Sequence, residues 1–73
     1  MSTVSRSLVE GILLEHGHMV KLNLSKNGLT DLGEIKMLNS LTKLNVSENR
    51  LKDISVLAHL PKLRILSLSD NIV

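Results

Sequence analysis

The sequence predicts an α/β repeat solenoid in which short strands alternate with short helical returns, behind an N-terminal helix. Two observations support this prediction. Asn27, Asn49 and Asn71 stand 22 residues apart (49 − 27 and 71 − 49), and a fixed period of this size indicates a repeat architecture. Within each period the apolar spacing changes from alternation to intervals of three, which is typical of a strand followed by a tight helical segment.

Residues 1–18 precede the repeats, and we expect them to form an amphipathic helix that caps the first repeat. Ser7 and Glu10 have the spacing of a capping box, and Gly17 is a candidate C-cap. The alternative is a membrane or partner helix, but Glu10 interrupts the apolar stretch and no basic cluster flanks it, so we expect no membrane insertion. The apolar residues of this face are Val4, Leu8, Val9, Ile12 and Leu13.

The repeats divide the rest of the chain into units 19–40 and 41–62 and a partial unit 63–73. In each unit apolar and polar residues first alternate, as in "KLNLS" and "KLNVS", which predicts a strand with one buried face. The aligned apolar positions are Met19, Leu41 and Leu63; Leu22, Leu44 and Leu66; Leu24, Val46 and Leu68; and Leu29, Leu51 and Val73.

After the asparagine, apolar residues recur at intervals of three, which suits a 3₁₀ or loosely helical return. We expect Asp31 and Asp53 to be N-caps of these returns, and Pro61 to end the second one at Leu60. The apolar residues concerned are Leu32, Ile35 and Leu38 in the first unit and Ile54, Leu57 and Leu60 in the second.

The segments "LTKLNVSENRL" and "LPKLRILSLSDNIV" resemble the leucine-rich repeat family. The unit length and the segment "DISVLAHLPK" are similar to the subclass typified by a regulatory subunit of type-one protein phosphatase, which also includes an axonemal dynein light chain. The resemblance implies a right-handed solenoid with a short parallel sheet on its concave face and 3₁₀ or short helices on its convex face. It also implies that Asn27, Asn49 and Asn71 form an internal structural ladder, for which a carboxamide offers both donors and an acceptor.

Composition excludes several functions. The net charge is only +2 and the chain has no Phe, Tyr or Trp, so we expect no nucleic-acid partner. No combination of nucleophile and base is recognisable, and nothing in the repeat pattern brings His16, His18 and His59 together, so we expect no enzyme, cofactor or metal site. The absence of cysteine favours a cytoplasmic protein, and cilium and nucleus remain as alternatives.

If the resemblance holds, the outward strand residues form a protein-binding surface on the concave face. This surface is basic at one edge, at Lys21, Lys43 and Arg64, and acidic at the other, at Glu48 and Asp70, so it suits a partner of complementary polarity. Ordinary solvated charges are the alternative explanation. The full candidate set is Lys21, Asn23, Lys43, Asn45, Glu48, Arg64, Ile65, Ser67 and Asp70.

The partial third unit provides a second candidate surface. Leu63, Leu66 and Leu68 need a covering layer, and an uncovered last unit exposes apolar side chains and a strand edge. Three explanations remain open: a longer repeat protein, docking on another protein, and pairing with a second copy. The predicted function is a non-catalytic protein–protein interaction module, either an adaptor or a regulatory subunit. The alternative is an architectural N-terminal part of a longer repeat protein that self-associates through its C-terminal edge.

Overall fold

The computed structural model describes residues 3–16 and 18–72. Its elements, in chain order, are helix α1 (Arg6–His16), strand β1 (Lys21–Asn23), a 3₁₀ segment (Ile35–Met37), strand β2 (Lys43–Asn45), a second 3₁₀ segment (Ser55–His59) and strand β3 (Ile65–Ser67). Strand and 3₁₀ return therefore alternate as the two apolar spacings predict.

The three strands form one parallel sheet in the order β1-β2-β3. Lys21 pairs with Lys43 and Lys43 with Ile65, so each residue lies beside its equivalent in the next unit. Parallel neighbours cannot be joined by a hairpin, and the chain between them supplies the crossover that contains each 3₁₀ segment. The repeat period in the sequence is thus the strand register of the sheet.

The apolar core lies between the sheet and the 3₁₀ segments, and it is best closed at its centre. Leu44 of β2 is 1% exposed, whereas Leu66 at the equivalent position of β3 is 38% exposed. Leu22 of β1 is half-buried and packs against the core. The buried apolar residues of the described chain are Val4, Val9, Leu24, Leu29, Leu32, Ile35, Leu38, Leu41, Leu44, Val46, Leu51, Leu57 and Leu60.

The 3₁₀ segments place one apolar side chain per turn against this core. Ile35 and Leu57 are buried within the two segments, as the intervals of three require. The second segment ends at His59, and Leu60 has φ −103° and ψ 89°, outside the helical region. Pro61 favours this extended conformation in the residue before it, so the predicted end of the return is confirmed.

The start of α1 differs from the prediction. The helix begins at Arg6, and the Ser5 hydroxyl accepts a hydrogen bond from the Leu8 backbone N–H at 3.2 Å. Ser5 is therefore the capping residue, and the predicted capping box of Ser7 and Glu10 is wrong, because the Glu10 carboxylate instead accepts from the Arg6 guanidinium at 2.8 Å. Val4, which is predicted on the apolar face of the helix, precedes the helix instead, and its side chain is buried in the core. The proposed C-cap, Gly17, lies outside the described residues.

The chain before α1 is attached to the first 3₁₀ return. The Thr3 hydroxyl donates to the Asp31 carboxylate, and the Glu34 backbone N–H donates to the Val4 carbonyl oxygen at 2.9 Å. Asp31 also accepts from the Gly33 N–H at 2.8 Å, but the 3₁₀ segment starts only at Ile35 with no side-chain cap. The predicted N-cap role of Asp31 is therefore wrong, since its carboxylate closes the preceding turn.

Asp53 is close to its predicted role. Its carboxylate accepts from the Ser55 N–H at 2.8 Å, at the first residue of the second 3₁₀ segment, while Ile54 occupies the cap position. The hydrogen bonds from the Ser55 backbone and side chain lower the pKa of Asp53 below its ordinary value. In neither of the stretches 3–16 and 18–72 does a helix have the length and apolarity needed to cross a membrane.

Candidate functional site

The outward side chains of the three strands form one surface, which we call the outer face of the sheet. Alternation along each strand sends the leucines inward and leaves the flanking residues outward. Because the register is in step, equivalent residues form rows across the sheet, about 4.8 Å from one strand to the next. The outer face comprises Lys21 and Asn23, Lys43 and Asn45, and Ile65 and Ser67.

One row of the outer face contains two cations and an apolar side chain. Lys21 and Lys43 are exposed and pair in register, and Ile65, which continues their row, is 57% exposed. Arg64 is also exposed but belongs to the preceding row, since its backbone N–H donates to the Thr42 carbonyl oxygen at 2.8 Å. The structure thus brings two of the three predicted basic residues, Lys21 and Lys43, together in one row of the outer face, whereas Arg64 lies outside that row, at the position before β3.

The second row contains asparagines whose amide orientation is determined by the turn that follows. The Asn23 side-chain oxygen accepts from the Ser25 N–H at 2.9 Å and from the Ser25 hydroxyl at 2.7 Å. Asn45 accepts from Ser47 in the same way, at 3.0 and 2.7 Å. Their oxygens are therefore occupied, and the Nδ2 groups remain as donors. The sequence placed these asparagines on the surface but did not indicate which amide atom a partner meets.

Beyond the carboxyl ends of the strands, the charge changes sign. The Lys26 ammonium lies 3.9 Å from the Glu48 carboxylate, with both side chains largely exposed, so the pair contributes little to stability. Asp70 occupies the equivalent position in the third unit and is exposed. Glu48 and Asp70, the two residues of the predicted acidic edge, are thus both exposed here, and the Glu48 carboxylate is partly neutralised by Lys26.

These three charged residues share an uncommon backbone conformation. Lys26, Glu48 and Asp70 have φ values of 59°, 56° and 58°, in the left-handed region that non-glycine residues rarely adopt. The Lys26 and Glu48 N–H groups donate to the carbonyl oxygens of Ser47 and Ser69 in the next unit, at 3.2 and 2.9 Å. These bonds hold the turn in place. At Lys26 and Glu48 the residue type does not indicate this conformation, since Lys and Glu have no preference for it.

The ladder asparagines lie beneath these turns and bond between units. The Asn49 side-chain oxygen accepts from the Asn27 and Leu29 N–H groups, both at 3.0 Å, and its Nδ2 donates back to the Leu24 carbonyl oxygen at 3.0 Å. Asn71 repeats this one unit later, accepting from the Leu51 N–H at 3.0 Å and donating to the Val46 carbonyl oxygen at 2.9 Å. Asn49 and Asn71 therefore each bind the turn of the unit that precedes their own.

Asn27 differs because no unit precedes its own. Its Nδ2 donates to the carbonyl oxygens of Leu24 and Ser25, at 3.0 and 3.1 Å, both within the first unit. Asn49 is 7% exposed, whereas Asn27 and Asn71 are only partly buried. The ladder thus has a direction, from each unit back to its predecessor, with Asn49 at its centre.

The second candidate surface is the outer edge of β3. Leu63 and Leu68 are partly buried against the core, while Leu66 is 38% and Ile72 is 56% exposed. Three backbone groups of the second unit form hydrogen bonds with the third unit: the Thr42 carbonyl oxygen accepts, and the Val46 and Glu48 N–H groups donate. The equivalent groups one period later are the Arg64 carbonyl oxygen and the Leu68 and Asp70 N–H groups. By this equivalence they point away from the second unit, towards the outer edge of the sheet.

In residues 3–16 and 18–72, no three side chains of the His, Cys, Asp and Glu types come together in a way that could hold a metal ion. His16 ends α1, and His59 ends the second 3₁₀ segment, so different elements position them.

Comparison with known proteins agrees with this architecture. The family model described as Leucine Rich repeats (2 copies) matches residues 18–59 and 39–73. No curated protein and no solved structure gave a match.

Proposed function

The chain belongs to the leucine-rich repeat family, and we propose that it is a non-catalytic adaptor or regulatory subunit that binds a protein partner on the outer face of its sheet. Leucine-rich repeats are generally protein–protein interaction modules. The main supporting observation is the in-register row of exposed Lys21, Lys43 and Ile65, which offers a partner two cations beside an apolar contact.

In this proposal the units stack as a right-handed solenoid, with the sheet on the concave side and the 3₁₀ segments on the convex side. Helix α1 is the N-terminal cap, a role supported by the burial of Val9 and by the hydrogen bond that joins Val4 to Glu34. A cap on one end leaves the outer face and the β3 edge as the two surfaces for partners.

The phosphatase regulatory subunit and axonemal dynein light chain subclass remains part of the proposal, on the segment "DISVLAHLPK". A cytoplasmic location is proposed from the absence of cysteine, with cilium and nucleus as alternatives. A nucleic acid is not proposed as a partner, because the net charge is small and the chain has no aromatic residues. Membrane insertion is not proposed either, because Glu10 interrupts the apolar stretch of the N-terminal helix and no basic cluster flanks it.

The test is crosslinking capture from the native source. An amine-reactive crosslinker should join the partner to Lys21 and Lys43 on the outer face in preference to Lys36 and Lys62, which lie outside the strands. Reversing charge at Lys21, Lys43 and Arg64 should weaken capture of the partner and leave the circular dichroism spectrum unchanged. Crosslinks confined to Lys36 and Lys62, or capture that survives the triple reversal, would refute binding at the outer face.

A second candidate function uses the β3 edge and is favoured by the exposed Leu66 and Ile72. Here the chain is architectural, and its edge receives another repeat unit, another protein or a second copy.

A further inference from the structure

We infer that the basic half of the outer face binds a carboxylate-bearing segment of its protein partner. The inference rests on the proposed function and specifies the chemistry of the partner. It concerns the four polar side chains of β1 and β2 on this face, which are Lys21, Asn23, Lys43 and Asn45.

All four side chains present donors to a partner. The lysine ammonium groups are donors only. Asn23 and Asn45 would ordinarily offer a donor and an acceptor, but their oxygens accept two hydrogen bonds each from Ser25 and Ser47. Within the described residues no acceptor is bound to the Nδ2 group of either asparagine, so these groups are available to a ligand. A surface that offers only donors, two of which are cationic ammonium groups, favours an anionic acceptor.

The arrangement is regular enough to engage more than one carboxylate. Lys21 and Lys43 flank a shallow groove that also includes Leu22, Asn23 and Asn45. The four side chains extend from backbone positions about 4.8 Å apart between strands and about 6.7 Å apart between alternate residues of one strand. A carboxylate lying between an ammonium and an amide group therefore receives a charge-assisted hydrogen bond together with a neutral one.

Two features favour a protein segment over a nucleic acid. Ile65 continues the lysine row and is 57% exposed, which suits an apolar side chain beside the acidic ones. In the other direction, Glu48 and Asp70 lie beyond the strands and would repel a long polyanion that continued along the groove. The chain also has no aromatic residue on which bases could stack.

The experiment measures fluorescence anisotropy of a labelled glutamate-rich peptide that includes one leucine, against a matched peptide with glutamine at each glutamate position. The Asn23→Asp and Asn45→Asp double variant keeps the oxygen that Ser25 and Ser47 bond but replaces each outward donor with an anionic oxygen. We expect this variant to bind the glutamate peptide about tenfold or more weakly. Lys36→Glu, which changes the net charge by the same amount outside the strands, should change affinity by less than about twofold.

A glutamine peptide that binds as tightly as the glutamate peptide, or an Asn23→Asp and Asn45→Asp variant that binds normally, would overturn the inference. Tighter binding of a single-stranded oligonucleotide of equal charge would overturn it as well. If no peptide binds while a captured partner still crosslinks to Lys21 and Lys43, the carboxylate inference fails and the proposed function stands. If no peptide binds and no captured partner crosslinks to Lys21 or Lys43, the carboxylate inference and the proposed function both fail.

Discussion

At the scale of single residues, the three equivalent asparagines make unequal contributions, because Asn49 and Asn71 bond to the unit before them and Asn27 does not. Asn49 is buried, and it joins two units through both its side-chain oxygen and its Nδ2 group. Asn71 also joins two units but is less buried, and the Nδ2 bonds of Asn27 stay within its own unit. Residues at the same sequence position therefore differ in the number of backbone groups that depend on them.

We expect Asn49→Ala to lower the free energy of unfolding by about 3 kcal/mol, since it leaves the Asn27 and Leu29 N–H groups without an acceptor in a buried site. Asn27→Ala should cost only about 1 kcal/mol, because its two Nδ2 bonds involve carbonyl groups of a partly exposed turn. Asn71→Ala should fall between them. Urea denaturation of the three variants measures the order, and equal losses would contradict the directional ladder.

The positions of the ladder could be predicted from the sequence, whereas its direction could not. The period locates Asn27, Asn49 and Asn71, but whether each amide serves the preceding or the following unit depends on how successive turns stack. The left-handed conformation of Lys26 and Glu48 was likewise hidden, because interactions with the next unit impose it against their local preference. The direction of the ladder and the left-handed conformation both depend on contacts between units, which the local sequence does not indicate.

At the scale of elements, the attachment of the N-terminal segment to the first 3₁₀ return depends on one glycine. Gly33 has φ +50°, and a Cβ built on it would lie 2.1 Å from the Val4 carbonyl oxygen. That same oxygen accepts from the Glu34 N–H, so the backbone cannot move away without losing the bond. Gly11, within α1, has no neighbouring heavy atom within 4 Å of such a Cβ.

The two glycines should therefore respond in opposite ways to the same substitution. We expect Gly33→Ala to destabilise the protein by about 3 kcal/mol, through left-handed strain and displacement of the N-terminal segment. Gly11→Ala should stabilise it by about 0.5–1 kcal/mol, because alanine is the better helix former. Thermal melting of both variants tests this, and a Gly33→Ala variant as stable as the unmodified chain would show that the observed attachment is unimportant.

The sequence predicts the N-terminal helix, but its capping-box spacing places the cap at Ser7, two residues after the observed cap, Ser5. Ser5 and Ser7 are both plausible caps in "VSRSLVE", and the Glu at position 10 favoured Ser7. In the structure Arg6 engages Glu10 on the helix surface, and the Ser5 hydroxyl is left to cap the Leu8 N–H. Of the two possible registers of this short motif, the structure therefore has the one in which Glu10 pairs with Arg6 and Ser5 occupies the capping position.

At the scale of the whole molecule, the two ends of the sheet differ in how well their apolar side chains are covered. Near β1, α1 and the residues before it bury Val4 and Val9, whereas the described residues beside β3 leave Leu66 and Ile72 exposed. Exposed strand edges with apolar side chains favour association with another strand. This asymmetry explains why both a partner at the outer face and an occupant at the edge are compatible with the fold.

If the edge mediates self-association, sedimentation velocity should show a dimer or larger species that grows with protein concentration. The Leu66→Lys and Ile72→Lys double variant should then be monomeric, because charge at a strand edge opposes pairing. Leu14→Lys is the control, since Leu14 is 88% exposed on α1 and far in sequence from β3. A chain that stays monomeric at every concentration, or one affected equally by Leu14→Lys, would argue against edge pairing.

The direction of the asparagine ladder also sets an order in which the fold opens. When the third unit detaches, Asn71 leaves with it and the Leu51 amide loses its acceptor, so the second turn loosens next. Only when the second unit also leaves does Asn49 release the Leu29 amide. Fluctuations that begin at β3 therefore propagate towards α1 one unit at a time, and amide hydrogen exchange should reach Leu51 before Leu29.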